Sequence, residues 1–206
     1  AAGATPVAGT FTNVKYNGSL TVPTNAGTYA ITADFAPTDT TNYTTLTGAS
    51  AGSFVINKAN PTLSISNSPA TYDGTPKTAT VTGSTAGAVT NIRYAGSSTA
   101  PTTAGTYAVT ADFVPTDTAN YNSVTTASAG NLVINKANPS LSVTNSPVVY
   151  TGAAQAATLA SSVPGTISNV RYNGSTTVPT NAATYAMTAN FVPSDTANYN
   201  NLTSAS

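Results

Sequence analysis

The aspartates are the residues of this chain whose type and spacing come nearest to a chemical site. Asp39, Asp117 and Asp195 each open a short segment of the form Asp-Thr-Ala/Thr-Asn-Tyr. Hard cations such as Ca²⁺ bind clustered carboxylate and carbonyl oxygens, so a calcium site in each segment is one hypothesis. One carboxylate per segment is too few for a good site, and we favour a turn capped by the Asp side chain. We therefore predict no metal site.

The lysines raise a second hypothesis, a covalent bond between a lysine amine and an asparagine side chain. That reaction needs a buried lysine beside an Asn or Asp and a further acid. Where the surrounding sequence recurs, Lys15 is replaced by arginine and Lys77 by glutamine, so only Lys58 and Lys136 repeat. We favour the alternative, a solvated charge that discourages edge-to-edge pairing of strands.

Most other chemistries lack the residues they need. The chain has no His, Cys or Glu, so neither acid–base catalysis nor a thiolate metal site is predicted, and we expect no enzyme and no cofactor. Six Lys and Arg residues are too few for the basic surface of a nucleic-acid binder. No stretch approaches the roughly 20 apolar residues that span a membrane. Because hydrophobic residues make up 40 % and aromatics recur at fixed spacing, we expect a folded chain.

The tyrosines show that the chain is repetitive. The step from Tyr16 to Tyr94 equals the step from Tyr94 to Tyr172, 78 residues. Exposed tyrosines could stack on sugars, but we favour packing in a core or hairpin. A unit of this length can hold about seven short strands and its own core.

Three repeats are predicted from this period. Residues 1–57 form a partial repeat lacking its first strands, 58–135 a complete repeat, and 136–206 a partial repeat lacking its last strand. We favour a window cut from a longer array. The alternative is that the incomplete ends complement each other between chains, so that the protein self-associates into fibres.

The elements that carry these residues are predicted to be strands. Tyr107, Val109, Ala111 and Phe113 alternate with polar residues, which is the period of a strand with one buried face. No helical period occurs, and turn signals such as Asn17-Gly18 recur every 8–12 residues or so. The predicted fold class is all-β, with antiparallel β-sandwich domains in tandem.

Two resemblances extend this prediction. The segment Asp117–Tyr121 resembles the corner of immunoglobulin domains in which the tyrosine hydroxyl bonds to the backbone, although Ser123 stands where those domains have Cys. The segments Phe54–Leu63, Tyr72–Gly74 and Ala104–Phe113 together are similar to the bacterial Ig-like MBG (YDG-type) repeats of large secreted surface proteins. The third copy departs from that pattern, with Thr151 in place of the Asp. The resemblance implies tandem Ig-like domains of an extracellular, cell-surface stalk or adhesin, with no enzymatic role.

The linkers between repeats are short. Only Lys58, Ala59 and Asn60 precede Pro61, and proline holds the residue before it extended. We expect a stiff joint and an elongated rod of Ig-like domains whose partners are the neighbouring repeats. The function expected is a structural spacer; the alternatives are a strand-complemented fibre subunit and a glycan-binding module.

Overall fold

The structure, a computed structural model, describes residues 7–206. Within these residues it holds strands and no helix, so the all-β prediction is confirmed. The strands, in chain order, are β1 (Gly9–Tyr16), β2 (Gly27–Pro37), β3 (Leu46–Ile56), β4 (Leu63–Ile65), β5 (Ala70–Thr71), β6 (Val81–Gly83), β7 (Gly87–Tyr94), β8 (Gly105–Pro115), β9 (Val124–Asn135), β10 (Leu141–Val143), β11 (Leu159–Ser161), β12 (Gly165–Tyr172), β13 (Met187–Pro193) and β14 (Leu202–Ala205).

The strands form several small sheets, consistent with β-sandwich repeats. In the middle repeat a four-stranded sheet has the order β5-β9-β8-β7, and β4 pairs with β6 in a second sheet. The first repeat has the sheet β1-β2-β3, and the third has β12-β13-β14 and β10-β11. One pair, β5 and β9, is parallel, which the alternation of residues alone did not indicate.

The core lies on the predicted face of each central strand. Val109, Ala111 and Phe113 of β8 are buried, and so is Phe191 of β13. Phe54 of β3 is 45 % exposed, whereas its counterpart Leu132 of β9 is fully buried. The difference follows from the strands present, because the described residues before 58 contain only β1 to β3.

A glycine at the start of each outer strand lets the core phenylalanine pack closely. A Cβ added at Gly87 would lie 2.5 Å from Phe113 Cζ and 2.4 Å from the Val114 carbonyl oxygen. Gly9 and Gly165 stand in the same relation to the phenylalanines of their own repeats. Because glycine has no side chain, the phenylalanine ring can lie close to the backbone at this position.

Tight turns end the first strand of each hairpin, as predicted. Asn17 and Gly18 have φ of 50° and 83°, and Asn173 and Gly174 have φ of 49° and 84°. Both residues of such a turn need positive φ, which Asn and Gly adopt with little strain.

In the central strands β2 and β8, one side chain bonds to an irregular position on each neighbouring strand. Asp112 accepts hydrogen bonds from Asn91 Nδ2 at 2.6 Å and from the Thr126 N–H at 2.7 Å. Both donors belong to residues with positive φ, 52° and 50°. Asp34 holds Asn13 and Gly48 in the same way. One carboxylate thus fixes a left-handed residue on each neighbouring strand.

The chain divides into two compact units. Of the described residues, one unit contains residues 7–62, Gly83–Ala88 and Phe113–Thr125, and the other contains Leu63–Thr82, Val89–Asp112 and Thr126–Ser206. The repeat boundaries given above stay predictions. Over residues 7–206 there is no helix of the length and apolarity that crossing a membrane requires.

Candidate functional site: the joint between repeats

The segment that begins with Asp117 folds into a turn closed by its own side chains. Asp117 Oδ1 accepts the N–H groups of Ala119 and Asn120, both at 3.1 Å, and Asp117 Oδ2 accepts Asn120 Nδ2 at 2.7 Å. The Tyr121 N–H donates to the Asp117 carbonyl at 3.1 Å. These bonds lower the pKa of Asp117, chiefly through the side chain of Asn120. The predicted capped turn is therefore observed.

The turn presents the oxygen of one asparagine to the preceding repeat. Asn120 Oδ1 accepts the N–H of Ala26 at 2.7 Å, and Asn198 Oδ1 accepts the N–H of Ala104 at 2.7 Å. The partners in each pair are 94 residues apart. Asn198 is buried, at 7 % exposure, so its hydrogen bonds are shielded from water. We call each set of such contacts a joint; each joint lies inside one of the two compact units.

The receiving loop is itself held in place. The Tyr29 hydroxyl donates to the Asn25 carbonyl at 2.8 Å, immediately before Ala26. The Tyr107 hydroxyl is 3.0 Å from the Thr103 carbonyl, immediately before Ala104. Both of these tyrosine hydroxyls therefore bond to the backbone four residues earlier, at the start of a central strand. In the part of the chain that the structure describes, the hydroxyls of Tyr43, Tyr121 and Tyr199 make no such bond, which distinguishes these turns from the immunoglobulin corner.

The linker completes the joint. The Ala59 N–H donates to the Asn120 carbonyl and the Asn122 N–H donates to the Ala59 carbonyl, both at 2.9 Å. Asn122 Nδ2 donates to Asn60 Oδ1 at 2.7 Å. The linker thus pairs with the turn as a short parallel bridge. The second joint repeats these bonds with Ala137, Asn138, Asn198 and Asn200.

The recurring lysines belong to the joints. Lys58 Nζ donates to the Thr118 carbonyl at 2.7 Å, and Lys136 Nζ donates to the Thr196 carbonyl at the same distance. The partner of each lysine is a carbonyl oxygen of the turn. The lysine charges, predicted to be solvated, are thus hydrogen-bonded to the turn. Lys77, in contrast, pairs with Asp73, and its counterpart Gln155 donates to the Val149 carbonyl at 2.7 Å.

The second joint also contains a contact between two aromatic rings. The rings of Tyr72 and Tyr199 meet edge to face with centroids 5.3 Å apart. Tyr43, the counterpart of Tyr199 in the first repeat, is 49 % exposed. The same tyrosine is therefore partly covered where a preceding repeat packs against it.

The remaining candidates lie apart from the joints. Tyr94 and Tyr172 are buried, and their hydroxyls accept the N–H groups of Ala79 and Ala157 at 2.9 Å, so the predicted core packing is confirmed for both. Tyr16 is half-buried and meets the ring of Phe54. Asn190, which stands where the other copies have Asp34 and Asp112, still accepts the Ser204 N–H at 2.9 Å.

Sequence reasoning missed the asparagine that makes the contact between repeats. It singled out the Asp and Tyr of the segment and gave the Asn between them no role. The available signal was that this Asn recurs as Asn42, Asn120 and Asn198, and that the Thr two places before it recurs as well. Recurrence alone does not tell a turn residue from a contact residue.

Comparison with known proteins gives one family. No curated protein and no solved structure matches the chain. A family model described as MBG domain matches it three times, over residues 1–60, 61–138 and 140–206. These matches tile almost the whole sequence, and the chain therefore belongs to the MBG domain family.

Proposed function

We propose that the chain is a structural spacer, a run of repeats that sets the distance between other parts of a surface protein. The observation that supports this most directly is the recurrence of one joint. Asn120 and Asn198 bind the preceding repeat through the same bond at the same 2.7 Å distance. A spacer benefits from identical joints because each added repeat then extends the array in the same way.

The use of the ionisable groups also fits a non-catalytic role. Every aspartate accepts hydrogen bonds from residues of a turn or of a neighbouring strand; these are Asp34, Asp39, Asp73, Asp112, Asp117 and Asp195. Such carboxylates stabilise local backbone geometry. Catalytic carboxylates are usually set in a pocket beside a substrate.

The proposed location is the outside of a bacterial cell, within an adhesin or filament. The support is the similarity of the chain to MBG-type repeats and its low charge. Antibody labelling of intact and permeabilised cells of the bacterium that carries the gene tests this. Labelling of intact cells is expected, and labelling only after permeabilisation would contradict the proposal.

Stiffness of the joints is the mechanical part of the proposal, and it can be measured in solution. Asn120→Ala with Asn198→Ala removes the side-chain bond from both joints, while Asn42→Ala removes the counterpart, whose side chain bonds to Asp39 within its own turn. Small-angle X-ray scattering should give an extended particle for the wild type and for Asn42→Ala, and a broader distribution of dimensions for the double variant. A compact wild-type particle would refute the spacer. Identical scattering from all three proteins would show that the asparagine bonds do not stiffen the joints.

A further inference from the structure

In the middle repeat an early strand is bonded directly to the last one. Strand β5 pairs in parallel with the end of β9, with Ala70 opposite Ile134 and Thr71 opposite Asn135. The Tyr72 N–H continues this pairing by donating to the Asn135 carbonyl at 2.9 Å. The segment by which the chain enters this part of the repeat is therefore bonded to the strand by which it leaves.

A serine hydroxyl extends the pairing on the amino-terminal side of β5. Ser68 Oγ donates to the Asn131 carbonyl and accepts the Val133 N–H, both at 3.0 Å. One hydroxyl thus binds two backbone groups of β9. Leu132 and Ile134, which alternate with these residues, are almost fully buried, so this end of β9 is also anchored in the core.

The direction of the two strands decides how tension acts on these contacts. We call the contacts of residues 68–72 with residues 131–135 the clamp. The chain reaches the clamp at the amino end of β5 and leaves it at the carboxyl end of β9. Because the strands are parallel, these two ends lie at opposite ends of the pair. Tension along the chain therefore slides one strand past the other and loads the hydrogen bonds of the clamp together.

An antiparallel hairpin responds to tension in a different way. In the first repeat, Gly27 at the start of β2 lies opposite Ile56 at the end of β3. The two ends through which tension enters this hairpin are therefore adjacent, and the pair opens one hydrogen bond at a time. Since a single hydrogen bond contributes little net stability, bonds that must break together resist tension better than bonds that break in sequence.

We propose that the clamp bears the load when the repeat is under tension and keeps it folded. Forced unfolding is governed by the rate of crossing the unfolding barrier, and the simultaneous rupture of the clamp forms that barrier. Ser68 is part of it because its hydroxyl joins β9 at two backbone groups. The proposal concerns resistance to tension, so it goes beyond the spacer function and does not depend on it.

The direction of pulling tests the proposal on the full chain. The chain has no cysteine, so DNA handles can be attached at two introduced thiols. Ser66→Cys with Asn135→Cys places the clamp between the attachment points. Pro76→Cys with Asn135→Cys leaves β5 outside the stretched segment. All three positions are exposed, and optical tweezers measure the unfolding rate of each protein at constant force.

The clamp should slow unfolding when it lies between the handles. At the same force, the Ser66–Asn135 pair should unfold at least about tenfold more slowly than the Pro76–Asn135 pair, because several hydrogen bonds must break together. The gain in length identifies each event, since it scales with the number of residues between the handles. Equal rates in the two geometries, or faster unfolding with the clamp loaded, would refute the proposal.

A variant of the clamp separates mechanical resistance from general stability. With handles at positions 66 and 135, Ser68→Ala should raise the unfolding rate about fivefold or more, since it removes a donor and an acceptor that break before the transition state. With handles at positions 76 and 135 the rate should stay the same. A general loss of stability would raise both rates equally, and that result would contradict the clamp.

The matched control is a second serine whose hydroxyl also lies between strands. Ser64 Oγ is 3.2 Å from Thr82 Oγ1, between β4 and β6 and outside the clamp. Ser64→Ala should therefore leave the unfolding rate unchanged in both geometries. An increase as large as that of Ser68→Ala with the handles at positions 66 and 135 would show that the clamp is not the load-bearing element.

Discussion

The carboxylate of Asp112 accepts the backbone N–H of Thr126 at 2.7 Å, and Thr126 is held at φ +50°. A β-branched residue rarely adopts this left-handed conformation, which costs an L-residue about 1–2 kcal/mol. The first repeat has Gly48 at the same place, also with its N–H bound by an aspartate. The carboxylate therefore compensates for a strain that glycine would not have.

Replacing the strained threonine by glycine should stabilise the protein. We expect Thr126→Gly to raise the free energy of unfolding by about 1 kcal/mol, because the left-handed strain is removed while the N–H donor is kept. Urea denaturation of the full chain measures this. Thr125→Gly, one residue earlier and without a positive φ, should destabilise by about 0.5–1 kcal/mol. A loss of the same size in both variants would show that Thr126 is not strained.

Acid should weaken the protein through the same carboxylates. Hydrogen bonds, first from the side chains of Asn13 and Asn91, hold the pKa values of Asp34 and Asp112 below the usual 3.8. Because the folded pKa is lowered, their stabilisation is fully present above the unfolded pKa and is lost as the pH falls through the folded pKa. Stability should therefore be level from pH 7 to about 5 and decline below about 4.

The matched variant is Asp34→Asn with Asp112→Asn, which copies Asn190 of the third repeat. Its unfolding should take up at most two fewer protons in acid, one for each carboxyl removed. Melting temperatures recorded by circular dichroism between pH 2 and 7 compare the two proteins. An unchanged slope below pH 4 would mean that these carboxylates do not drive the acid sensitivity.

The second joint should depend on the buried asparagine. Asn198→Ala leaves the Ala104 N–H without its acceptor, and we expect a loss of about 1–3 kcal/mol in unfolding free energy. Asn42→Ala, which only loses an exposed bond to Asp39, should cost less than about 1 kcal/mol.

Hydrogen exchange reports on this joint amide by amide. In Asn198→Ala the Ala104 N–H should exchange faster, whereas the Ala26 N–H, bound by the intact Asn120, should keep its protection. Unchanged exchange at Ala104 would show that the contact does not persist in solution.

The close packing of glycine and phenylalanine gives a fourth prediction. Gly87→Ala should destabilise by about 1–3 kcal/mol, because the new methyl group would meet the Phe113 ring and a backbone carbonyl. Gly105→Ala is the control; its nearest contact would be an ordinary 3.4 Å, and the third repeat has Ala183 there. Thermal unfolding of both variants tests the difference, and equal melting temperatures would contradict it.

The sequence was informative where one local rule decides the structure. Alternation along β8 predicted the burial of Val109, Ala111 and Phe113, and Asn17-Gly18 predicted a turn with two positive φ angles. Both follow from residues within a few positions of each other. The parallel pairing of β5 with β9 joins Ala70 to Ile134 across 64 positions, and no local pattern encodes it.

The contacts between repeats could not be predicted from the sequence for a similar reason. Asp117 caps a turn by accepting the N–H groups of the residues two and three positions later. Its residue type and its place in the segment were enough to predict this cap. Asn120 reaches an N–H 94 positions earlier, and any polar residue in a turn would look the same in sequence. The two donors to Asp112 likewise come from other strands, so its residue type and position did not reveal them.

Each repeat contains both the turn that carries the asparagine oxygen and the loop that carries the alanine N–H. Any two neighbouring repeats can therefore form the same joint. A gene built this way could gain or lose whole units by unequal recombination without any compensating mutation at the new junction. Length would then be a trait that varies quickly between strains, while the chemistry of each junction stays the same.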